Sequence, residues 1–245
     1  MKILKIIGGV LALAIPVCAT PSNCAVNTLT SYLANNFSCT IGDKTYTDFA
    51  AVLTAVTVLG TATPASTDDI QVQPTGGSSN PGFSFAATYD AVSSLVSVSS
   101  VTFTVAYTGF APANDPFTNT SLFLTNPSVS GLGAITAAEA LCKNGSFTSP
   151  LNPLLCDSIV LNAGLTSNIT NANLGAVVTF SLGQVTELGV IKQLTLTSGL
   201  NGSATVDKLN NGYEATAVPE PGSVGLMGCG LLLLVRYRKR FRKRT

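Results

Sequence analysis

The side chains in this sequence that can carry out chemistry are its carboxylates. The chain has 245 residues, twelve acidic side chains and no histidine, which excludes Ser-His-Asp triads, Cys-His dyads and histidine-based metal sites. Two carboxylates facing each other across a sugar can hydrolyse a glycoside, but no spacing in the sequence pairs any two of them. Asp43 and Asp115 follow Gly42 and Asn114, which are typical turn settings. We therefore expect a protein that is not an enzyme, with no catalytic residue, cofactor or metal.

The remaining acids of the body have the same interpretation, as turn and surface carboxylates. A carboxylate-based hydrolase would have to draw its pair from this set, and only the fold can bring two of its members together. The set consists of Asp43, Asp48, Asp68, Asp69, Asp90, Asp115, Glu139, Asp157, Glu187, Asp207 and Glu214.

A binding module for carbohydrate or calcium is the alternative function. Asp68 and Asp69 are the neighbouring acids that calcium could use, but no EF-hand spacing surrounds them. Carbohydrate sites often present exposed aromatic rings, and the sequence has no tryptophan. Packing at the rim of the core is the simpler interpretation of the aromatic residues outside the clearest core positions. These are Tyr46, Tyr89, Phe110 and Phe117.

Short strands separated by turns must position these side chains. The clearest strand covers residues 101–107, where apolar and threonine side chains alternate between two faces. Helical periodicity is limited to two or three turns over 27–36 and a short Ala-rich stretch over 135–142. Asn201-Gly202 and Asn211-Gly212 predict tight turns. Many short strands with few helices predict an all-β fold, an antiparallel β-sandwich with one short N-terminal helix.

The cysteines indicate an oxidising compartment. Removal of both ends of the chain would leave four of the six cysteines, an even number. Local spacing favours the pairs Cys24–Cys39 and Cys142–Cys156, of which the first would staple the N-terminal helix. A zinc site made of the same four cysteines is the competing interpretation, but the sequence has no Cys-x-x-Cys pair.

The N-terminal end has the order of a secretory signal peptide. A basic start is followed by an apolar run over residues 6–17, and small residues up to Ala19 fit cleavage before Thr20. From Thr20 to Val235 there are four lysines and no arginine against all twelve acids. This acidic body offers no electrostatic footprint for nucleic acid. We expect a signal peptide over 1–19 and an exported β-sandwich domain over 20–216.

The C-terminal end has the pattern of a stop-transfer segment, an apolar run over 222–235 followed by a basic tail. As a helix this run would span about 21 Å, against a hydrocarbon core of about 30 Å. The sequence therefore predicts a short transmembrane helix, which is either a permanent anchor in a locally thinned bilayer or a temporary one that is cut off. The basic residues are Arg236, Arg238, Lys239, Arg240, Arg242, Lys243 and Arg244.

The order of Pro219-Glu220-Pro221, a short apolar helix and an Arg-rich end resembles the PEP-CTERM sorting signal of bacteria that assemble exopolysaccharide. The match covers residues 217–245, about the last tenth of the chain. A cysteine, a short helix and then Cys-Thr-Ile-Gly-Asp-Lys-Thr-Tyr from Cys39 is similar to the opening of many exported proteins that carry this signal. The resemblance implies recognition by a membrane processing enzyme, an exosortase, and association with exopolysaccharide and biofilm. It implies no particular activity.

These patterns together predict an exported protein of the cell envelope or extracellular matrix. Its expected partners are the secretion machinery, an exosortase-like enzyme, the membrane through the C-terminal helix, and exopolysaccharide, with no nucleic acid. It would begin as an intermediate anchored in the inner membrane and end in the envelope, at the surface or in the matrix.

Overall fold

The computed structural model describes residues 22–94, 97–147 and 165–215, which form two β-sheets packed face to face. The predicted signal peptide and sorting signal, residues 1–19 and 217–245, lie outside the described residues. In the described part of the chain, no helix is long and apolar enough to cross a membrane.

The described residues form strands of two to thirteen residues. In chain order these are β1 (Ser22–Asn23), β2 (Asn27–Thr28), β3 (Ser38–Ile41), β4 (Lys44–Val56), β5 (Gly60–Thr63), β6 (Gln71–Thr75), β7 (Gly82–Ser93), β8 (Ser100–Phe110), β9 (Phe117–Thr125), β10 (Ser128–Ser130), β11 (Ala134–Lys143), β12 (Leu165–Thr170), β13 (Val178–Val185), β14 (Glu187–Thr197) and β15 (Ser203–Ala215).

The first sheet has the strand order β1-β3-β4-β8-β14-β11-β12, and the second has the order β13-β9-β15-β7-β6-β2. Strand β10 adds to β15, and β5 adds to β7. The long strands pair antiparallel throughout the described residues, and the two-residue contact between β1 and β3 is parallel. The predicted antiparallel β-sandwich is confirmed.

Aromatic side chains from both sheets fill the space between them. On β8, the predicted inward face of Val101, Phe103, Val105 and Tyr107 is buried. The Phe103 ring lies 5.8 Å from the ring of Phe85 on β7, centroid to centroid. Burial of alternate residues on paired strands is what fixes the register of each sheet, since a shift by one residue would turn this face to solvent.

The N-terminal helix is shorter than predicted. Within the described residues the only α-helix is the single turn Leu29–Tyr32, because Asn27 and Thr28 pair with β6 as strand β2 instead. The Cys24–Cys39 disulfide is present and confirms the predicted staple. It attaches the segment that carries this turn to β3, at a cysteine that is fully buried.

Two further local predictions are wrong. Residues 135–142, predicted as a helix, form β11, which pairs with β14 on one side and β12 on the other. Tertiary pairing here overrides the helix propensity of an Ala-rich segment. The predicted turn at Asn211-Gly212 lies inside β15, which pairs with β7 and β9 through both residues.

Candidate functional site

Polar side chains meet inside the sandwich, between the two sheets. None of them is more than 2% exposed, and they are joined by hydrogen bonds. We call this group the buried polar cluster, and it consists of Tyr107, Thr120, Glu139, Lys192, Asn211 and Tyr213.

The first sheet contributes an acid and a base to the cluster. Glu139 on β11 and Lys192 on β14 stand directly opposite each other in the antiparallel register. Both occupy inward positions of strands whose other inward residues are apolar, such as Leu141 and Leu194. Lys192 Nζ donates a hydrogen bond to Glu139 Oε1 over 2.5 Å. The pair is therefore a cross-strand contact turned into the core.

The second sheet contributes an amide that reaches the same carboxylate. Asn211 on β15 donates from Nδ2 to Glu139 Oε1 over 2.9 Å, and also to Thr120 Oγ1 and the Ser121 carbonyl. Its carbonyl oxygen, Oδ1, accepts a 2.8 Å hydrogen bond from the Tyr107 hydroxyl. Since the Ser121 carbonyl can only accept, the nitrogen of the amide must face Glu139 and the oxygen must face Tyr107.

Burial controls the protonation of the cluster. Removal from water raises the pKa of Glu139 and lowers the pKa of Lys192, and the mutual attraction of the two charges offsets only part of each shift. Among the described residues, the second carboxyl oxygen, Oε2, is buried without a hydrogen-bond partner. Both directions shift the pair toward its neutral form, a carboxylic acid beside an amine.

A second buried lysine is paired nearer the surface. Lys44, the first residue of β4, has a fully buried side chain whose Nζ donates to Asp43 Oδ1 over 2.6 Å and also to Asp115 Oδ2. The structure thus brings together the two acids that were predicted in turns. They converge on a cation instead of facing each other across a cleft, which is the arrangement of a structural ion pair.

The outer face of the second sheet carries a shallow polar depression with a volume of about 320 Å³. It is lined by residues of β9, β13 and β15. Among them, Asn119 and Glu214 share a 2.6 Å hydrogen bond, whereas Phe180 pairs with the inward residue Thr120 and packs against the core. Hydrogen-bonding side chains on a sheet surface can contact the hydroxyl groups of a sugar.

The four aromatic residues considered as sugar contacts, and interpreted as rim packing, lie elsewhere. Tyr46, Tyr89 and Phe117 are fully buried in the core, and Phe110 is 38% exposed at the end of β8. The prediction of rim packing is therefore wrong for Tyr46, Tyr89 and Phe117, which pack at the centre of the core. The Tyr46 ring, for example, lies 4.8 Å from the ring of Phe83.

The neighbouring acids that calcium could have used form a capped turn. Asp68 and Asp69 belong to a 3-10 turn after Ser66, which accepts from the Asp68 amide while Asp69 accepts from the Ser66 amide. Over the described residues, no group of three or more acidic or cysteine side chains is placed to hold a metal ion.

The other predicted site residues lie partly outside the described chain. Cys142 is disulfide-bonded, but Cys156 is outside the described residues, so their pairing stays a prediction. The sorting motif Pro219-Glu220-Pro221 and the basic tail over 236–244 are likewise outside, and their roles stay predictions.

Sequence reasoning missed the buried polar cluster, although a signal was present. Lys192 interrupts an alternating series in which Val190, Leu194 and Leu196 share its parity. A lysine at an inward position must be paired if it is buried. For Asn211 the sequence predicted a turn at the surface instead of a buried position, because Asn-Gly is a typical turn pair.

Comparisons with known proteins give little further information. No family model matches the chain, and no curated protein matches it. Among solved structures, the carbohydrate-binding module TmCBM61, in complex with β-1,4-galactotriose, is similar with a TM-score of 0.28 and 8% sequence identity, over 65% of this chain and 86% of that one. A likeness at this level supports no argument about this protein.

Proposed function

We propose that this chain is an exported structural protein of the cell envelope or extracellular matrix. The observation that carries the proposal is the Cys24–Cys39 disulfide, which joins the start of the sandwich to β3. Protein disulfides form and persist in oxidising compartments, outside the cytoplasm. This bond therefore supports the predicted export of the domain.

The position of the sandwich along the chain also supports sorting. The described strands run from Ser22 to Ala215, between the predicted signal peptide and the Pro-Glu-Pro motif. A processing enzyme that recognised the motif would act a few residues beyond the last strand. Cleavage there would leave the sandwich whole, for association with exopolysaccharide.

The use of polar groups within the domain favours a structural role over catalysis. Lys44, Lys192 and Glu139 are buried and paired within the fold. Most of the large aromatic side chains are committed to packing between the sheets. These groups stabilise the domain, and none of them faces a substrate-sized cleft in the described residues.

The intact mass of the mature protein, purified from its native envelope, tests the proposal. We expect a chain that starts near Thr20 and ends between Pro219 and Gly222. A chain that keeps residues 236–245 would instead be a permanent single-pass protein, which contradicts processing at the motif. A chain that still starts at Met1 and fractionates with the cytoplasm would overturn export altogether.

Carbohydrate binding is the second candidate function, and the polar depression around Asn119 and Glu214 is the observation that favours it. Affinity electrophoresis in gels that contain the host's own exopolysaccharide measures such binding directly. Retardation that is lost in Asn119→Ala and Glu214→Ala, but kept in Asp207→Ala, would assign binding to this depression. Asp207 is a matched control because it is exposed on the same strand, β15, as Glu214. Equal mobility with and without polysaccharide would exclude the site.

A further inference from the structure

The buried polar cluster brings an amine and an amide to the same carboxyl group. Lys192 Nζ and Asn211 Nδ2 donate to the same atom, Glu139 Oε1, over 2.5 and 2.9 Å. Both nitrogens therefore lie within one hydrogen-bond length of one oxygen. The carbon to which Asn211 Nδ2 is bonded is the carbonyl carbon that an amine can attack.

The surroundings suit the amine as a nucleophile. An amine attacks only in its neutral form, and a lysine becomes neutral more readily when it is buried. Burial lowers the pKa of Lys192 and raises the pKa of Glu139, and both shifts move the shared proton toward the acid. Glu139 is then a carboxyl group that can pass a proton between the two nitrogens it contacts.

The surroundings also suit the amide as an electrophile. The Tyr107 hydroxyl donates to Asn211 Oδ1 over 2.8 Å and lies 2.8 Å from the Tyr213 hydroxyl. A donor aimed at this oxygen stabilises the negative charge that develops there during attack, most strongly in a site without water. Thr120 Oγ1 and the Ser121 carbonyl hold the amide nitrogen in place.

We propose that Lys192 and Asn211 form an intramolecular isopeptide bond, with Glu139 as the proton-transfer group. The lone pair of Lys192 Nζ attacks Asn211 Cγ, and the C–O double bond opens onto Oδ1 beside Tyr107. Glu139 gives its carboxyl proton to Nδ2 and takes one from Nζ. The C–O double bond then re-forms as the Cγ–Nδ2 bond breaks, and ammonia leaves. One C–N bond forms and one breaks, and no oxidant, metal or cofactor is needed.

This bond would join the two sheets of the sandwich covalently. Lys192 lies on β14 of the first sheet and Asn211 on β15 of the second. The link is independent of the proposed function, because the reaction needs only the folded domain. It would explain why a lysine, a glutamate and an asparagine occupy inward positions where apolar residues would otherwise pack.

Mass spectrometry of the full-length chain, reduced and denatured, tests the proposal. The expected mass is lower than the sequence mass by one ammonia for this bond, after correction for any terminal processing. Trypsin should fail to cut after Lys192 and should give one branched peptide, in which the segment that contains Lys192 is joined to the segment that begins at Leu209. Two separate peptides with cleavage after Lys192 would overturn the proposal and leave a plain buried hydrogen-bonded pair.

The peptide map also excludes another loss of ammonia. Asn211 precedes Gly212, and attack by the glycine amide on the same side chain gives a succinimide of equal mass. A succinimide leaves Lys192 free and the two peptides unlinked, so this outcome counts against the isopeptide bond.

Variants assign the roles of Glu139 and Lys192. Glu139→Gln keeps the shape of the side chain but cannot shuttle the proton, and it should show the full sequence mass, as should Lys192→Met. Lys208→Arg is the matched control, because Lys208 lies on β15 but binds Gln73 outside the cluster, and it should still lose ammonia. If the Glu139→Gln variant forms the bond at the rate of the parent chain, Glu139 has no role in the reaction. The map of the parent chain remains decisive even if a variant does not fold.

Discussion

Lys44 and Asp115 are 71 positions apart in the sequence, and the carboxylate of Asp115 accepts a hydrogen bond from the buried ammonium of Lys44. The contact ties the start of β4 to the loop between β8 and β9. Asp43 is a second acceptor, and its side chain is 42% exposed, against 13% for Asp115. The more buried acid should therefore contribute more to stability.

Replacing Asp115 tests this difference. Asp115→Asn leaves a buried ammonium with one charged partner, and we expect the free energy of unfolding to fall by about 2 kcal/mol, the typical value of a hydrogen bond to a charged group. Asp43→Asn should cost less, because water can replace its exposed carboxylate. Urea denaturation measures both variants, and an equal loss for the two would contradict the ranking.

The aromatic core allows a matched pair of truncations. Phe83 is fully buried and its ring lies near those of Tyr46, Phe49 and Tyr107. We expect Phe83→Ala to lower the free energy of unfolding by about 3–5 kcal/mol through lost burial and the cavity left behind. Phe110→Ala removes the same side chain at a position that is 38% exposed and should cost far less. Similar midpoints for both variants in urea would show that the packing around Phe83 is not as described.

Removing the N-terminal disulfide should destabilise the domain. The bond closes a loop with a sequence separation of 15 residues, for which the chain-entropy relation gives about 3 kcal/mol. The double variant Cys24→Ala/Cys39→Ala isolates this bond from Cys142, which reduction would also affect. The free energy of unfolding, measured without reductant, should fall by about that amount. A decrease of less than about 1 kcal/mol would indicate that removing the disulfide gives the unfolded chain little additional conformational freedom.

Buried tyrosines should make the domain sensitive to alkali. Burial raises the pKa of Tyr32 from 10.0 to about 12, and it also raises the pKa values of Tyr46, Tyr89, Tyr107 and Tyr213. A group whose pKa is higher in the folded state stabilises that state below its unfolded pKa, and the stabilisation is lost as the pH rises. The contribution of these tyrosines to the free energy of unfolding should therefore be constant below pH 10. It should decrease as the pH rises from 10 to 12 and further.

Absorbance of tyrosinate and far-ultraviolet circular dichroism, followed together, check this expectation. Ionisation of these five tyrosines should coincide with loss of β structure. Their ionisation near pH 10 in a chain that keeps its circular dichroism would contradict the burial of the hydroxyl groups.

Deleting residues 219–245 tests the predicted anchor. The truncated chain keeps every described strand and lacks the apolar run and the basic tail. We expect it in the periplasm or the medium, while the full chain is recovered with membranes before processing. If the truncated chain stays with the membrane fraction at high salt, the anchor lies elsewhere.

The sequence was most informative where the strand faces are purely apolar. Val101, Phe103, Val105 and Tyr107 alternate with Thr102, Thr104 and Ala106, and period-two alternation predicts that the face with the larger apolar side chains turns inward. The Cys24–Cys39 pair was likewise predictable, because a short loop leaves few geometric alternatives. Both features are local, so they can be read without knowledge of the strand order.

The buried polar cluster could not be predicted because it is not local. Glu139 and Lys192 come together through the pairing of β11 and β14, and Asn211 approaches them from the other sheet. The parity of Lys192 indicates an inward lysine that needs a partner, but it does not identify that partner. Their meeting depends on strand order, which no sequence pattern in the chain specifies.

The final strand, β15, determines how the domain would bear mechanical load. It lies between β7 and β9 in the interior of the second sheet, and it is the last described strand before the C-terminal segment. A pull along this strand would shear two ladders of hydrogen bonds at once, instead of unzipping one ladder bond by bond. Asn211 lies only four residues before its end at Ala215. Tension that enters the domain from the C-terminal side therefore reaches the contact between Asn211 and Glu139 before most of the strand is strained.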